Sequence, residues 1–181
     1  MLKYVAIFVL LVLSLVGTAQ RVMDRAGKIR FYSEAPIENI EATNEKVMSI
    51  MDLTSGGVAV SIFIRDFRFE KPLMEEHFNE NYLESSKYPK CTFSGTFQDF
   101  EGLGDGSFTL KAKGEITLHG VTQPLEADVE FEVDANEIKA KTTFFLKVAD
   151  FDIEIPKVVF YNIAETIEVN ASFRFDKDKM E

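Results

Sequence analysis

Residues 114–133, GEITLHGVTQPLEADVEFEV, decide the fold. After the central HGVTQP, Leu125, Ala127, Val129, Phe131 and Val133 alternate with Glu126, Asp128, Glu130 and Glu132. Before it, Phe108, Leu110, Ala112, Gly114, Ile116 and Leu118 alternate with Thr109, Lys111, Lys113, Glu115 and Thr117. A period of two places one set on a dry face and the other on a wet face of an extended strand. Two such strands across a turn-like HGVTQP predict an antiparallel hairpin.

The same pattern recurs outward along the chain. Residues 28–33, 47–53, 58–64, 91–97, 138–148 and 166–175 read as strands. In residues 58–64 the dry face is Val58, Val60, Ile62 and Ile64, and Thr54-Ser55-Gly56-Gly57 before it has the composition of a hairpin turn. Which face of residues 47–53 turns inward is not decided by its pattern, and residues 36–42 read as irregular. One segment breaks the period. Pro72 opens a short helix over residues 72–79, with Leu73, Met74, His77, Phe78 and Leu83 at roughly helical spacing among Glu75, Glu76, Glu80 and Glu84. Tyr88-Pro89 then forces an extended exit.

About eight two-faced strands with short connections predict an all-β domain. Closing the sheet into a barrel removes its edges, and about eight strands enclose just enough space for side chains or one small ligand. A two-sheet sandwich with a filled core shares the same periodicity. Gly95, Ala112, Gly114 and Ala171 lie on the dry faces, where small residues either leave room inside or let strands bend at barrel corners.

Residues 1–19 read as an export signal: Lys3 near the start, an apolar run over residues 4–16, and Gly17-Thr18-Ala19 before a cleavage point at Gln20. The run falls short of the roughly 20 residues of a spanning helix. Residues 20–181 are then one domain. The chain's net charge of −10 is a poor match for nucleic acid or for anionic lipid held by charge alone. Cys91 is the only cysteine, so no internal disulfide supports the fold, and it reads as a small apolar core residue.

No nucleophile elbow, phosphate loop or paired-cysteine motif is present, so no catalytic residue is assigned. His77 and Glu80 match no metal spacing; His77 reads as a helix histidine bonded to a neighbour, and no metal is expected. His119 reads as an outer-face residue that orders the turn. Arg65, Arg68, Lys71, Lys87 and Lys90 bracket the helical segment among Asp66, Glu70 and Glu84, a mixed charged surface.

Three segments together resemble the YceI-like family: residues 29–42, IRFYSEAPIENIEA; residues 77–97, HFNENYLESSKYPKCTFSGTF; and residues 114–124, GEITLHGVTQP. The resemblance implies an eight-stranded antiparallel barrel of lipocalin-like shape with one short helical insertion. It also implies an interior pocket for a polyisoprenoid or other long-chain amphiphile, in the periplasm or outside the cell. The glutamate-rich stretch between His77 and Lys87 follows the family pattern loosely, which bears on the head group bound. On this basis the expected lining is Phe31, Val60, Ile62, Phe93, Phe97, Phe108, Leu110, Val129, Phe131, Phe144, Val169 and Phe173. A non-covalent lipid is expected in place of a cofactor, with transient membrane contact, in a monomer or homodimer. The alternative is an envelope structural or stress protein whose barrel is filled and which acts through its outer surface.

Overall fold

The computed structural model describes residues 20–34, 39–154 and 164–179. The leader expected over residues 1–19, and residues 35–38 of the first family-like segment, lie outside them. Among the described residues nine strands form one antiparallel sheet: β1 (Arg21–Ser33), β2 (Ile40–Asp52), β3 (Gly57–Phe63), β4 (Arg68–Phe69), β5 (Lys90–Phe97), β6 (Gly106–Leu118), β7 (Val121–Val133), β8 (Glu137–Lys147) and β9 (Thr166–Asp176). The order β1-β9-β8-β7-β6-β5-β3-β2 closes on itself through β1–β2 pairing, so eight strands make a barrel. β4 is a two-residue addition on Ala42 and Thr43 of β2.

The decisive hairpin is β6–β7, in register from Gly106↔Val133 to Leu118↔Val121. Its turn is only His119-Gly120, tighter than the expected HGVTQP. Both residues have positive φ, 52° and 78°, the combination that lets a two-residue turn follow the twist of the strands.

β1 and β2 begin earlier than their alternation suggests, at Arg21 and Ile40. A bulge hides each start. In β1 the register shifts between Asp24 and Ile29. Buried Asp24 holds the kink, its carboxylate accepting the Ala26 and Arg174 amides at 2.8 Å each. In β2, Glu45 and Lys46 are both exposed, and buried Asn44 donates to the Phe63 carbonyl and accepts from the Lys46 amide. Residues 40–42, expected to be irregular, therefore belong to β2. Val47, Ser49 and Met51 are its buried face, which settles the face of residues 47–53.

Gly95 and Gly114 face each other across β5–β6. A Cβ on Gly114 would stand 2.2 Å from the Ser94 carbonyl oxygen and 2.5 Å from the Gly95 Cα. These glycines let two backbones cross closely, the bending role and not the space-making one.

Between β3 and β5 lies the insertion: a 3-10 turn (Ile64–Asp66), β4, α1 (Pro72–His77) and a π turn (Phe78–Tyr82). It lies at the end of the barrel that also carries the His119-Gly120 turn. α1 starts at Pro72, as expected from proline's fixed φ and missing donor. Glu75 binds it to β4, accepting from Arg68 Nη1 at 3.0 Å and from the Phe69 amide at 3.2 Å.

Candidate functional site

The barrel interior is unevenly filled. Toward the end where β6 begins, aromatic rings occupy it: Phe131 packs against Phe97 and Phe108 with centroids at 5.2 and 5.6 Å. A small cavity of about 90 Å³ remains there. Toward the insertion the interior opens into a cavity of about 280 Å³. Ile29, Ile62, Cys91, Ile116 and Phe144 border both spaces, so the two lie end to end. The larger approaches the lower bound of about 300 Å³ for small-molecule pockets.

Strand alternation aims the lining. Phe31 and Val169 face the larger cavity; Val60, Phe93, Phe97, Val129, Phe131 and Phe173 the smaller; Ile62 and Phe144 both. Phe108 and Leu110 line neither, contrary to expectation. They sit near the start of β6 and pack into the cluster that fills that end, Phe108 stacked on Phe131. Of the small residues, Ala112 and Ala171 border the smaller cavity and the two glycines border neither.

The rest of the lining comes from segments with little alternation. Phe67, Phe69, Met74, His77, Phe78, Tyr82 and Leu83 all belong to the insertion and cover the larger cavity. Phe78 anchors them, its ring 5.5 Å from Phe31, 5.6 Å from Phe67 and 5.0 Å from Phe69. His77 is exposed at the rim and has no hydrogen-bond partner among the described residues, unlike the bonded helix histidine expected. The sequence signals for this lining were the helical spacing of Met74, His77, Phe78 and Leu83 and the density of aromatics between residues 63 and 82.

Polar groups inside are few. Ser33 accepts the Ala164 amide at 2.9 Å. Ser49 borders the smaller cavity, is buried, and its hydroxyl has no partner among the described residues. Burial pushes the Cys91 thiol up to about 12, because the thiolate would lose its water. Burial also raises the Tyr82 phenol. Among the described residues no group of three or more metal-ligating side chains comes together.

A pin closes the insertion end. His119 Nδ1 donates to the Phe151 carbonyl at 3.0 Å, and Nε2 pairs with Glu84 at 3.0 Å. The Tyr88 ring meets the His119 ring edge-on at 4.5 Å and would be 2.6 Å from a Cβ on Gly120. Lys87-Tyr88-Pro89 and Leu118-His119-Gly120, two of the motifs behind the family resemblance, are thus one contact.

The YceI-like domain model matches residues 19–175. The chain belongs to the YceI-like family. A UPF0312 protein of Vibrio cholerae is 28% identical over 81 residues, 44% of this chain and 41% of that protein. One from Shewanella oneidensis is 33% identical over 84 residues, 42% and 41% of the two chains. The matches thus span about two fifths of these relatives' length. Among solved structures, a polyisoprenoid binding domain from Saccharophagus degradans, implicated in plant cell wall breakdown, superposes with a TM-score of 0.74 at 14% identity, covering 88% of this chain and 99% of that one. Burkholderia cenocepacia BcnA follows with 0.71 at 13% identity, covering 82% and 95%. The YceI protein of Campylobacter jejuni gives 0.61 at 19% identity, covering 79% and 88%. At these identities the likeness is one of fold.

Proposed function

We propose that this YceI-like protein is an exported carrier that holds a polyisoprenoid or similar long-chain amphiphile inside its barrel, and that it acts by binding and not by catalysis. The observation that carries this reading is the cavity of about 280 Å³, whose lining is apolar but for Ser33, His77, Tyr82 and Cys91. The Saccharophagus neighbour, a polyisoprenoid binding domain, supports the same ligand class. The filled-barrel alternative has no use for such a space.

Each methylene moved from water into the barrel contributes about 0.8 kcal/mol. Several isoprene units would offer roughly ten kcal/mol or more before ordering costs are subtracted. Escape into water is then slow, and unloading takes place at a membrane or a partner. Residues 1–19 serve as the cleaved leader that places the carrier in the periplasm or outside the cell.

Native mass spectrometry of the protein purified from its own host tests the reading. A co-purifying lipid released on unfolding is the expected result. Protein that carries none, and takes up none from added polyprenol, would overturn it. N-terminal sequencing of the exported form should begin at Gln20.

A further inference from the structure

The larger cavity offers a ligand very few polar side chains, and apart from Ser33 and the buried thiol of Cys91 they sit at one place. His77 and Tyr82 both line it from the insertion. The π turn is the reason. Its i→i+5 bond, from the Leu83 amide to the Phe78 carbonyl at 2.9 Å, is wider than an α turn and brings Tyr82 back to the face that His77 occupies. Neither side chain has a hydrogen-bond or ionic partner among the described residues, whereas the Ser33 hydroxyl is engaged by Ala164. A head group following its tail into the cavity meets an imidazole and a phenol.

The surroundings of that pair are acidic. Glu76 and Glu80 are exposed on either side of His77. Tyr82 also borders a surface basin of about 540 Å³ whose wall includes Glu84, Asp152 and Glu154. The cations at this end are engaged or turned away: Arg68 pairs with Glu75 and Lys87 with Glu84, Arg65 bonds the Ser85 and Ser86 hydroxyls, Lys71 has a contact of its own, Lys90 lies over the Phe63 ring, and Lys147 is on the exposed face of β8. At physiological salt only nearby charges act strongly, and over residues 65–87 six carboxylates stand against four Lys and Arg side chains, so the insertion is net acidic.

We propose that the rim selects an amphiphile with an uncharged, hydrogen-bonding head, a prenyl alcohol or an isoprenoid quinone carbonyl, held by His77 and Tyr82, and discriminates against a diphosphate. This deepens the carrier reading and rests on it. A diphosphate brings two or more negative charges among like charges and finds no free cation among the described residues at this end. A hydroxyl or carbonyl needs only the donors that the imidazole and phenol supply.

The test is competitive binding to the delipidated protein of four ligands of one chain length: a polyprenol, an isoprenoid quinone, a polyprenyl diphosphate and the headless hydrocarbon, each with EDTA and with Mg²⁺. The alcohol and quinone should bind at least tenfold tighter than the diphosphate in both conditions. Glu76→Gln with Glu80→Gln should raise diphosphate affinity alone. His77→Ala with Tyr82→Phe should weaken the quinone several-fold and leave the hydrocarbon unchanged. Diphosphate binding as tight as the alcohol, in EDTA or in Mg²⁺, overturns the inference and leaves the carrier reading standing. So does a quinone affinity indifferent to the His77 and Tyr82 changes. If none of the four binds, the carrier reading itself falls.

Discussion

Thr142 donates its hydroxyl to the Asp128 carbonyl at 2.7 Å, at the rung where β7 and β8 part. The ladder between these strands runs only from Val133↔Ile138 to Val129↔Thr142. Beyond it, residues 121–128 pair with β6 alone and residues 143–147 with β9 alone. The wall is split there, and the 3-10 turn Val148–Phe151 is fastened across β7, with Gln123 donating to the Asp150 carbonyl at 2.9 Å. Thr142 is the one polar residue on the inward row of β8, and its hydroxyl supplies the bond that the next rung would have made. Thr142→Val keeps the shape and removes that bond. A hydrogen bond of this kind is worth about 1 kcal/mol. Stability should fall by about that amount, and amide exchange should quicken at the β7–β8 rungs more than at β8–β9. Equal exchange in variant and parent would show that the split is not held by this side chain.

Ser49 makes the opposite case. Its hydroxyl is buried beside the smaller cavity with no partner among the described residues. An unmatched buried polar group costs about 1–3 kcal/mol. Ser49→Ala should therefore raise the urea midpoint, by about 1 kcal/mol in stability, with the slope unchanged. A fall would mean that a buried water completes the site and that the hydroxyl is an asset.

Cys91 ties stability to alkaline pH. The ordinary thiol value is 9.0, and burial lifts it to about 12 in the fold. The folded value is raised, so the stabilisation is whole below pH 9. It is lost as pH rises toward 12, because only the unfolded chain ionises. The loss is about 1.4 kcal/mol per pH unit in that window. Cys91→Ala forfeits some packing at pH 8 but escapes this slope. The stability gap between parent and variant, read from urea midpoints at pH 8, 9 and 10, should narrow as pH rises. A constant gap would contradict a thiol kept neutral by burial. In the parent, iodoacetamide at pH 8 should label Cys91 only as fast as the protein unfolds.

The barrel was legible because burial on one side of a strand writes itself into every second residue. Phe131 and Val129, or Phe144 and Val169, could be placed inward before any contact was known. Four kinds of information were not written that way. Bulges at Asp24–Ile29 and Asn44–Val47 shift the alternation by a residue and hide the starts of β1 and β2. Position along the barrel is invisible to a period of two, so Phe108 and Leu110 looked like Phe93 although they fill the packed end. The lid keeps a helical period only over residues 72–83, and Phe67, Phe69, Phe78 and Tyr82 reach the cavity through a 3-10 turn, a two-residue strand and a π turn. Gly95 and Gly114 were readable only as small residues; the backbone contact that excludes a Cβ needs both strands in place.

Phe78 joins that lid to the barrel, and its removal separates lid mobility from barrel stability. The ring touches Phe31 on β1, Phe67 beside the 3-10 turn and Phe69 on β4. Fully buried Phe→Ala changes cost about 3–5 kcal/mol. Phe78 is half-buried, so about 2 kcal/mol is expected, concentrated in the insertion because the closed ladder of strands does not depend on it. Phe78→Ala should speed limited proteolysis within residues 70–83 by roughly tenfold or more, as local opening of that size implies. It should also shorten the residence time of any bound lipid. Leu73→Ala is the control: Leu73 lies on the same insertion but is 61% exposed, and its loss should change neither rate. If both variants were cut at the parent's rate, the aromatic cluster would not be what holds the lid over the cavity.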